Sequence, residues 1–162
     1  MAYKLSTKGF TLIELLVVIA IIGVLSSVVI GSVSSARAKA RDAERRLELG
    51  QMRTASEILR LDQDNYPASA GWFSNPNHGY IDDDYVPTYI SKIPDDPLNT
   101  GSNVYMYWRK DYVSGCLTNI SSTKYGFYAK LENPSARDLA TLVDSFDQCV
   151  GTTWGMNYKG GN

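Results

Sequence analysis

A long apolar segment near the start of the chain places the strongest constraint on its fold. Residues 10–30 contain a single charged side chain, Glu14, and no further charge follows until Arg37. As an α-helix, this segment would span roughly 32 Å, which is about the hydrocarbon thickness of a bilayer. The segment therefore predicts one membrane-spanning helix. The chain of 162 residues then leaves enough sequence for a single domain of about 100 residues.

Glu14 needs an explanation, because a carboxylate in a membrane-spanning helix costs up to about 3 kcal/mol. The surrounding residues read Lys8-Gly9-Phe10-Thr11-Leu12-Ile13-Glu14-Leu15. This stretch resembles the N-terminus of type IV prepilins and the related pseudopilins, in which a short basic leader is cut after a Gly that precedes a Phe. The resemblance implies cleavage between Gly9 and Phe10, N-methylation of Phe10, and a role for Glu14 in assembly.

Two other targeting signals share the basic start and the apolar run, namely a cleaved secretory signal peptide and a plain signal anchor. A signal peptide has an apolar core of about 7 to 15 residues, which is shorter than residues 10–30. Ser34-Ser35-Ala36 matches a signal-peptidase site in part, so a mature chain that starts near Arg37 stays an alternative.

The charges on either side of the apolar segment predict its orientation. Lys4 and Lys8 lie on the short N-terminal side, and the positive-inside rule retains such residues in the cytoplasm. We therefore expect a single-pass membrane protein with an exported head, which later becomes part of an extracellular or periplasmic filament. The formal net charge of -1 gives no indication of nucleic-acid binding.

Helical periodicity continues beyond the membrane segment to about Leu61 and predicts that residues 36–61 are the amphipathic half of the same helix. One broad face carries the apolar residues, which are Ala40, Ala43, Leu47, Met52, Ala55, Ile58 and Leu59. Mixed charges occupy much of the remaining surface, and we expect them to be solvated: Arg45, Arg46, Glu48, Arg53 and Glu57.

From Asp62 onward, turn formers and aromatic runs replace the helical pattern. Strands are predicted at residues 104–108 and 125–131, with a weaker candidate at 116–120. The apolar face of such an antiparallel sheet needs a cover, and the amphipathic half of the helix is the obvious one. The expected fold class is α+β, and the resemblance implies the pilin fold. The chain would then consist of a leader at 1–9, a transmembrane and filament-core helix at 10–35, the amphipathic half of that helix at 36–61 and a head at 62–162. Within the head we expect a short helical turn at 134–139 and a frayed tail at 158–162.

The head also resembles the major pseudopilin of type II secretion, through Tyr66-Pro67, Val86-Pro87, the segment 89–97 and Tyr105-x-Tyr107. That pseudopilin has a calcium site. Residues 132–162 lack the dense Asp and Gly run expected there, and instead hold Cys149 in a predicted loop, as type IV pilins do. Cys116 and Cys149 both lie on the exported side, where we expect them to form a disulfide; two free thiols are the alternative.

Other chemistry has little support in the sequence. Acidic loops supply the oxygen ligands that calcium needs, and the weak candidates are Asp95, Asp96 and Asp111, although no stretch has the EF-hand spacing. We expect no cofactor. The only histidine, His78, has no partner in a catalytic spacing, so the chain is not expected to be an enzyme. Asn119-Ile120-Ser121 matches a short glycosylation sequon that we treat as unused.

The resemblance implies a structural subunit of a type IV pilus-like filament. Its implied partners are identical or homologous pilin subunits, the prepilin peptidase, an inner-membrane assembly platform, and the membrane itself before assembly. Glu14 is expected to pair with the Phe10 amine of a neighbouring subunit, because an unpaired buried charge is costly. Two alternatives stay open: a type II secretion pseudopilin that forms a short periplasmic filament for protein export, and a membrane-anchored binding domain. Neither the major or minor status of the subunit nor a role in adhesion, motility, DNA uptake or secretion follows from the sequence.

Overall fold

The computed structural model describes residues 9–67, 71–73, 81–101, 103–109, 125–142 and 145–160. The chain divides into two compact units, Met1–Arg37 and Ala38–Asn162. In the described part the elements in chain order are α1 Leu12–Gln63, β1 Gly71–Trp72, α2 Asp82–Tyr85, β2 Met106–Arg109, β3 Tyr125–Ala129, α3 Ala136–Leu139, α4 Ser145–Trp154 and β4 Tyr158–Gly160.

The part of α1 that lies in the first unit is apolar and exposed. Leu12 is 85% exposed and Ile30 is 70% exposed. By length and composition, α1 could cross a membrane, and no residue of its most apolar window is buried. Thr11 precedes the first turn, so the helix begins two residues later than the predicted start at Phe10. The predicted long N-terminal helix is confirmed.

The second unit contains a four-stranded sheet in the order β1-β2-β3-β4, and neighbouring strands are antiparallel. The strands β2 and β3 confirm the two main strand predictions, with shifted ends. The prediction of a frayed tail was wrong for residues 158–160, because β4 pairs with β3 through Phe127 and Gly160; residues 161–162 lie outside the described part. The short β1 was not predicted, and the predicted strand at 116–120 lies outside the described residues. The predicted helical turn is confirmed as α3.

Both faces of the sheet are covered. On one face, Tyr107 and Phe127 pack with Leu49, Met52 and Leu59 of α1, which confirms the predicted cover. On the other face, Met106, Trp108 and Tyr128 pack with Val150 of α4 and with Met156. Alternate residues of a strand point to opposite faces, so a sheet covered on both sides buries consecutive residues. The five residues of β3 are accordingly all buried.

The buried face of α1 differs from the predicted one. Met52, Ala55 and Leu59 are buried as expected, but Leu47 is 65% exposed and Ile58 is 47% exposed. The charged residue Arg45 was predicted to be solvated, yet it is fully buried. Apolar periodicity alone could not reveal this, because Arg45 is buried through ion pairs with residues that are distant in sequence.

Candidate functional site

Glu14 serves as a helix cap within its own chain. Its Oε2 accepts hydrogen bonds from the Thr11 amide at 2.8 Å and from Thr11 Oγ1 at 2.6 Å. In return, the Glu14 amide donates to Thr11 Oγ1 at 3.3 Å. This reciprocal arrangement is a capping box, which satisfies amides that the first turn of a helix leaves without partners. The Thr-x-x-Glu spacing before an apolar run is the sequence signal for this motif, which was not among the predictions.

Gly9 and Phe10 lie immediately before the capping box and outside the helix. Phe10 is 79% exposed, and no atom lies within 4 Å of the point where a Cβ on Gly9 would sit. Cleavage between these two residues and methylation of Phe10 stay predictions, as does the pairing of Glu14 with a neighbouring subunit.

A cluster of five charged residues surrounds the buried guanidinium of Arg45 in the second unit. Arg45 Nε and Nη2 donate to the two carboxylate oxygens of Asp96 at 2.7 and 3.0 Å. Arg45 Nη1 donates to Asp42 at 2.9 Å and to Glu132 at 3.1 Å. Arg41 donates to both oxygens of Glu132 at 2.6 and 2.7 Å. We call Arg41, Asp42, Arg45, Asp96 and Glu132 the Arg45 cluster.

Mutual hydrogen bonding shifts the pKa values of Arg45 and Glu132. Burial alone would lower the pKa of Arg45, but the hydrogen bonds from Arg45 to its carboxylate partners, Asp96 foremost, outweigh burial and raise it. The pKa of Glu132 is lowered to about 2, mainly by the hydrogen bond from Arg41 and against the opposing effect of burial. Arg45 and Glu132 are therefore held in their ionised forms by groups of opposite charge.

The Arg45 cluster also fastens two loops of the head to α1. The carboxylate of Asp42 accepts the amides of Glu132 and Asn133, each at 2.8 Å, and so holds the segment after β3. The carboxylate of Asp96 accepts the amide of Leu98 at 2.9 Å, which fixes the loop before β2. These contacts are directed hydrogen bonds to charged groups, which are stronger than neutral ones.

In the described part of the chain, two of the three calcium candidates, Asp95 and Asp96, take part in ion pairs. Both carboxylate oxygens of Asp96 are occupied by Arg45, and Asp95 lies 3.2 Å from Lys92 Nζ. Among the described residues, no group of three or more His, Cys, Asp or Glu side chains could hold a metal ion. Asp111 lies outside the described residues. Calcium binding at these residues therefore stays a prediction.

Two further ion pairs join other elements of the head. Asp147 of α4 receives hydrogen bonds from Lys159 Nζ at 3.0 Å and from the Tyr128 hydroxyl at 2.6 Å. Asp138 is bound by both Arg46 Nε and Nη2, at 2.9 and 2.8 Å. The hydrogen bonds from Arg46 lower the pKa of Asp138 against the effect of burial. Within the described residues, each buried charged side chain takes part in an ion pair: Asp42, Arg45, Asp96, Asp138, Asp147 and Lys159.

The other predicted site residues lie partly outside the described chain. Cys149 lies in helix α4 and not in the predicted loop. Its predicted disulfide partner, Cys116, lies outside the described residues, so the pairing stays a prediction. His78 and Asn119 also lie outside them.

Comparison with known proteins gives a family match at the N-terminus. The prokaryotic N-terminal methylation motif matches residues 4–30. The type II secretion system core protein G of Escherichia coli is 27% identical over 164 residues, which cover 94% of both chains. The type IV major fimbrial protein FimA of Dichelobacter nodosus is 42% identical over 66 residues, which cover 40% of this chain and 42% of FimA.

The type IV wide pilus major component PilA4 of Thermus thermophilus is 39% identical over 64 residues, which cover 40% of this chain and 49% of PilA4. The match thus extends along nearly the whole of the secretion protein, but along less than half of these two pilins. No solved structure matches the chain.

Proposed function

We propose that this chain belongs to the superfamily of type IV pilins and type II secretion pseudopilins, and that it is a structural subunit of a type IV pilus-like filament. One observation carries the proposal. The helix α1 presents an exposed apolar surface over the segment that the methylation motif covers. Such a surface requires an apolar environment, which a bilayer provides before assembly and a bundle of like helices provides afterwards.

The proposed route begins at the membrane. A prepilin peptidase cuts between Gly9 and Phe10, and the new amine of Phe10 is methylated. Lys4 and Lys8 keep the N-terminus in the cytoplasm, so the head is exported. An inner-membrane assembly platform then transfers the apolar part of α1 from the bilayer into the filament, where identical or homologous subunits surround it.

In this proposal, Glu14 sets the axial position of each subunit relative to its neighbour in the filament. Its carboxylate would lie beside the Phe10 amine of a neighbouring subunit in a core of low dielectric constant. The pair offsets much of the cost of burying two charges, whereas a misplaced subunit leaves both without compensation.

A role as a type II secretion pseudopilin is the second candidate. The observation that favours it is the length of the match to core protein G, which covers 94% of both chains, whereas the match to FimA covers 40% of this chain. Electron microscopy of cells that express the native machinery separates the two roles. Long surface filaments support the pilus, and short periplasmic assemblies needed for the export of folded proteins support the pseudopilin.

The processing step is tested by mass spectrometry of the intact protein and of its N-terminal peptide, taken from a host with the native machinery. A chain that starts at Phe10 with one added methyl group supports the proposal. A chain that starts near Arg37 would indicate a cleaved secretion signal, and an intact Met1 would indicate a plain anchor. Either of those results would contradict the proposal.

Glu14→Gln tests the role of the charge separately from the role of the cap. Gln can replace Glu in a capping box, so this variant keeps the helix start and removes only the charge. We expect normal cleavage but a loss of filament yield of roughly tenfold or more, equivalent to about 1.4 kcal/mol. The matched control is Thr11→Ala, which weakens the cap but keeps the carboxylate and should assemble. Normal yield from Glu14→Gln would show that the charge has no part in assembly.

A further inference from the structure

A buried lysine and a buried aspartate are in contact on the face of the sheet that α4 covers. Lys159 Nζ lies 3.0 Å from Oδ2 of Asp147, and the two side chains are 4% and 0% exposed. An amine and a carboxyl group are the two components of an amide bond, and here they are held together away from solvent. The proposed route of assembly uses neither group.

The hydroxyl of Tyr128 is a third polar group at this point. It donates a hydrogen bond to the other carboxylate oxygen, Oδ1 of Asp147, at 2.6 Å. Tyr128 of β3 lies directly opposite Lys159 of β4, so both side chains project from the same face of the sheet. The amine and the hydroxyl therefore contact different oxygens of one carboxylate.

The surroundings of these polar groups are apolar. The buried cluster that contains Tyr128 also contains Met106, Trp108, Val150 and Met156. A pair of ions is costly in such a site of low dielectric constant, because the attraction between the charges does not always offset their loss of hydration. Transfer of one proton from Lys159 to Asp147 removes both charges and leaves an amine with a lone pair beside a carboxylic acid.

We propose that Lys159 and Asp147 form an intramolecular amide bond. After the proton transfer, the lone pair of Nζ attacks Cγ of the carboxylic acid, while the Tyr128 hydroxyl stabilises the negative charge that develops on Oδ1. Oδ2 then leaves as water, because it carries the acid proton and takes a second proton from the nitrogen. One C–N bond forms and one C–O bond breaks, and no oxidant, reductant or other reactant is consumed.

The fold supplies the conditions for this condensation. Groups that are held in a reactive arrangement behave as if their effective concentration were about 10⁵ M or more. The product is a covalent ring that joins α4 to β4, so the last strand of the sheet cannot separate from the head while the bond is intact. The inference concerns the head alone, and it holds for a pilus subunit and for a secretion subunit alike.

The intact mass of the full chain tests the inference, with protein purified from a host that exports the head and then reduced to open any disulfide. The wild-type mass, after correction for processing of the N-terminus, should be lower than the mass of the sequence by one water molecule. Lys159→Arg keeps the positive charge without the nucleophilic amine, and it should show no such loss. An unchanged wild-type mass would overturn the inference. A loss of water that persists in Lys159→Arg would also overturn it, because that loss would indicate a cyclic imide.

Peptide mapping locates the bond. Chymotrypsin cuts after Trp154, between the two residues, so the product should appear as a branched peptide in which Asp147 and Lys159 remain joined. The matched control in the same chain is the pair Lys92 and Asp95, which are 3.2 Å apart but have a lysine side chain that is 74% exposed. The peptide that contains this pair should show no loss of water. Recovery of Lys159 only in an unbranched peptide would contradict the proposed bond.

Tyr128→Phe tests the role of the hydroxyl, because it keeps the aromatic ring and removes the hydrogen bond to Oδ1. We expect the bond to form roughly a hundredfold more slowly, as measured by the cross-linked fraction at successive times after synthesis. Circular dichroism establishes that the head of the variant is folded. A wild-type rate from the folded variant would overturn the role assigned to Tyr128.

Discussion

The guanidinium of Arg45 is shared by three carboxylates from separate parts of the chain: Asp42 of α1, Asp96 of the loop before β2, and Glu132 of the segment after β3. Their side chains differ in exposure, at 2%, 0% and 27%. Removal of one partner from a buried ion pair leaves an uncompensated charge, whereas an exposed pair contributes little. The most buried of the three carboxylates should therefore contribute most to stability, and the most exposed one should contribute least.

Asp96→Asn should lower the free energy of unfolding by about 3 kcal/mol, because the guanidinium then stays buried with less compensating charge. Glu132→Gln removes the more exposed partner and should cost about 1 kcal/mol or less. Denaturant titration of the full chain in detergent, followed by tryptophan fluorescence, measures both values. Equal losses from the two variants would contradict the ranking by burial.

At the level of elements, β4 lies so close to α1 that only glycine fits between them. A Cβ on Gly160 would sit 2.8 Å from Cβ of the buried Leu49. Gly160→Ala should therefore push β4 and α1 apart and cost about 1–3 kcal/mol.

The matched control for this glycine is Gly50→Ala, at a helix position that has open space around it. Its better helix propensity should raise stability by up to about 1 kcal/mol. Thermal unfolding followed by circular dichroism should thus give midpoints that move in opposite directions for the two alanine variants. If Gly160→Ala leaves the unfolding midpoint unchanged, the contact between β4 and Leu49 is not tight.

The elements that the sequence predicts are those with local signals. The apolar run and its helical spacing predict α1, and the aromatic runs of β2 and β3 predict two strands. The strand β4 has no such signal, because Tyr158-Lys159-Gly160 forms a strand only through pairing with β3 and burial of Lys159 against Asp147. The burial of Arg45 likewise depends on partners that are distant in sequence. The motif around Glu14 was identified from the sequence, but its capping role was not.

At the level of the whole molecule, the head should be less stable at acidic pH than at neutral pH. The pKa values of Glu132 and Asp138 lie below their ordinary values of 4.5 and 3.8 because both accept hydrogen bonds from arginines. A group with a lowered folded pKa contributes stability above its unfolded pKa and loses it as the pH falls through the folded value. Glu48 acts in the opposite direction, because burial raises its pKa and the folded state then favours its protonated form.

We predict that the unfolding midpoint of the full chain falls as the pH decreases from about 4.5 to about 2. Glu132→Gln should flatten this dependence, because it removes a group that must be protonated in that range. Glu48→Gln should steepen the dependence above about pH 4.5, because between the unfolded pKa and the raised folded pKa it removes a group whose protonation stabilises the head as the pH falls. Thermal melts of the three chains in the same detergent at a series of pH values measure the slopes. Identical slopes would contradict the assignment.

The cap that Glu14 forms with Thr11 limits what assembly can gain at this residue. If the carboxylate turns to a neighbouring Phe10 amine, the Thr11 amide and hydroxyl lose their acceptor. Joining the filament is then an exchange of one set of hydrogen bonds for another, and the net free energy is the difference between two similar quantities. Under the proposed pairing, Glu14 would select the axial position of a subunit without fixing the subunit there permanently. In the proposed filament, release of a subunit would therefore meet little opposition from this residue.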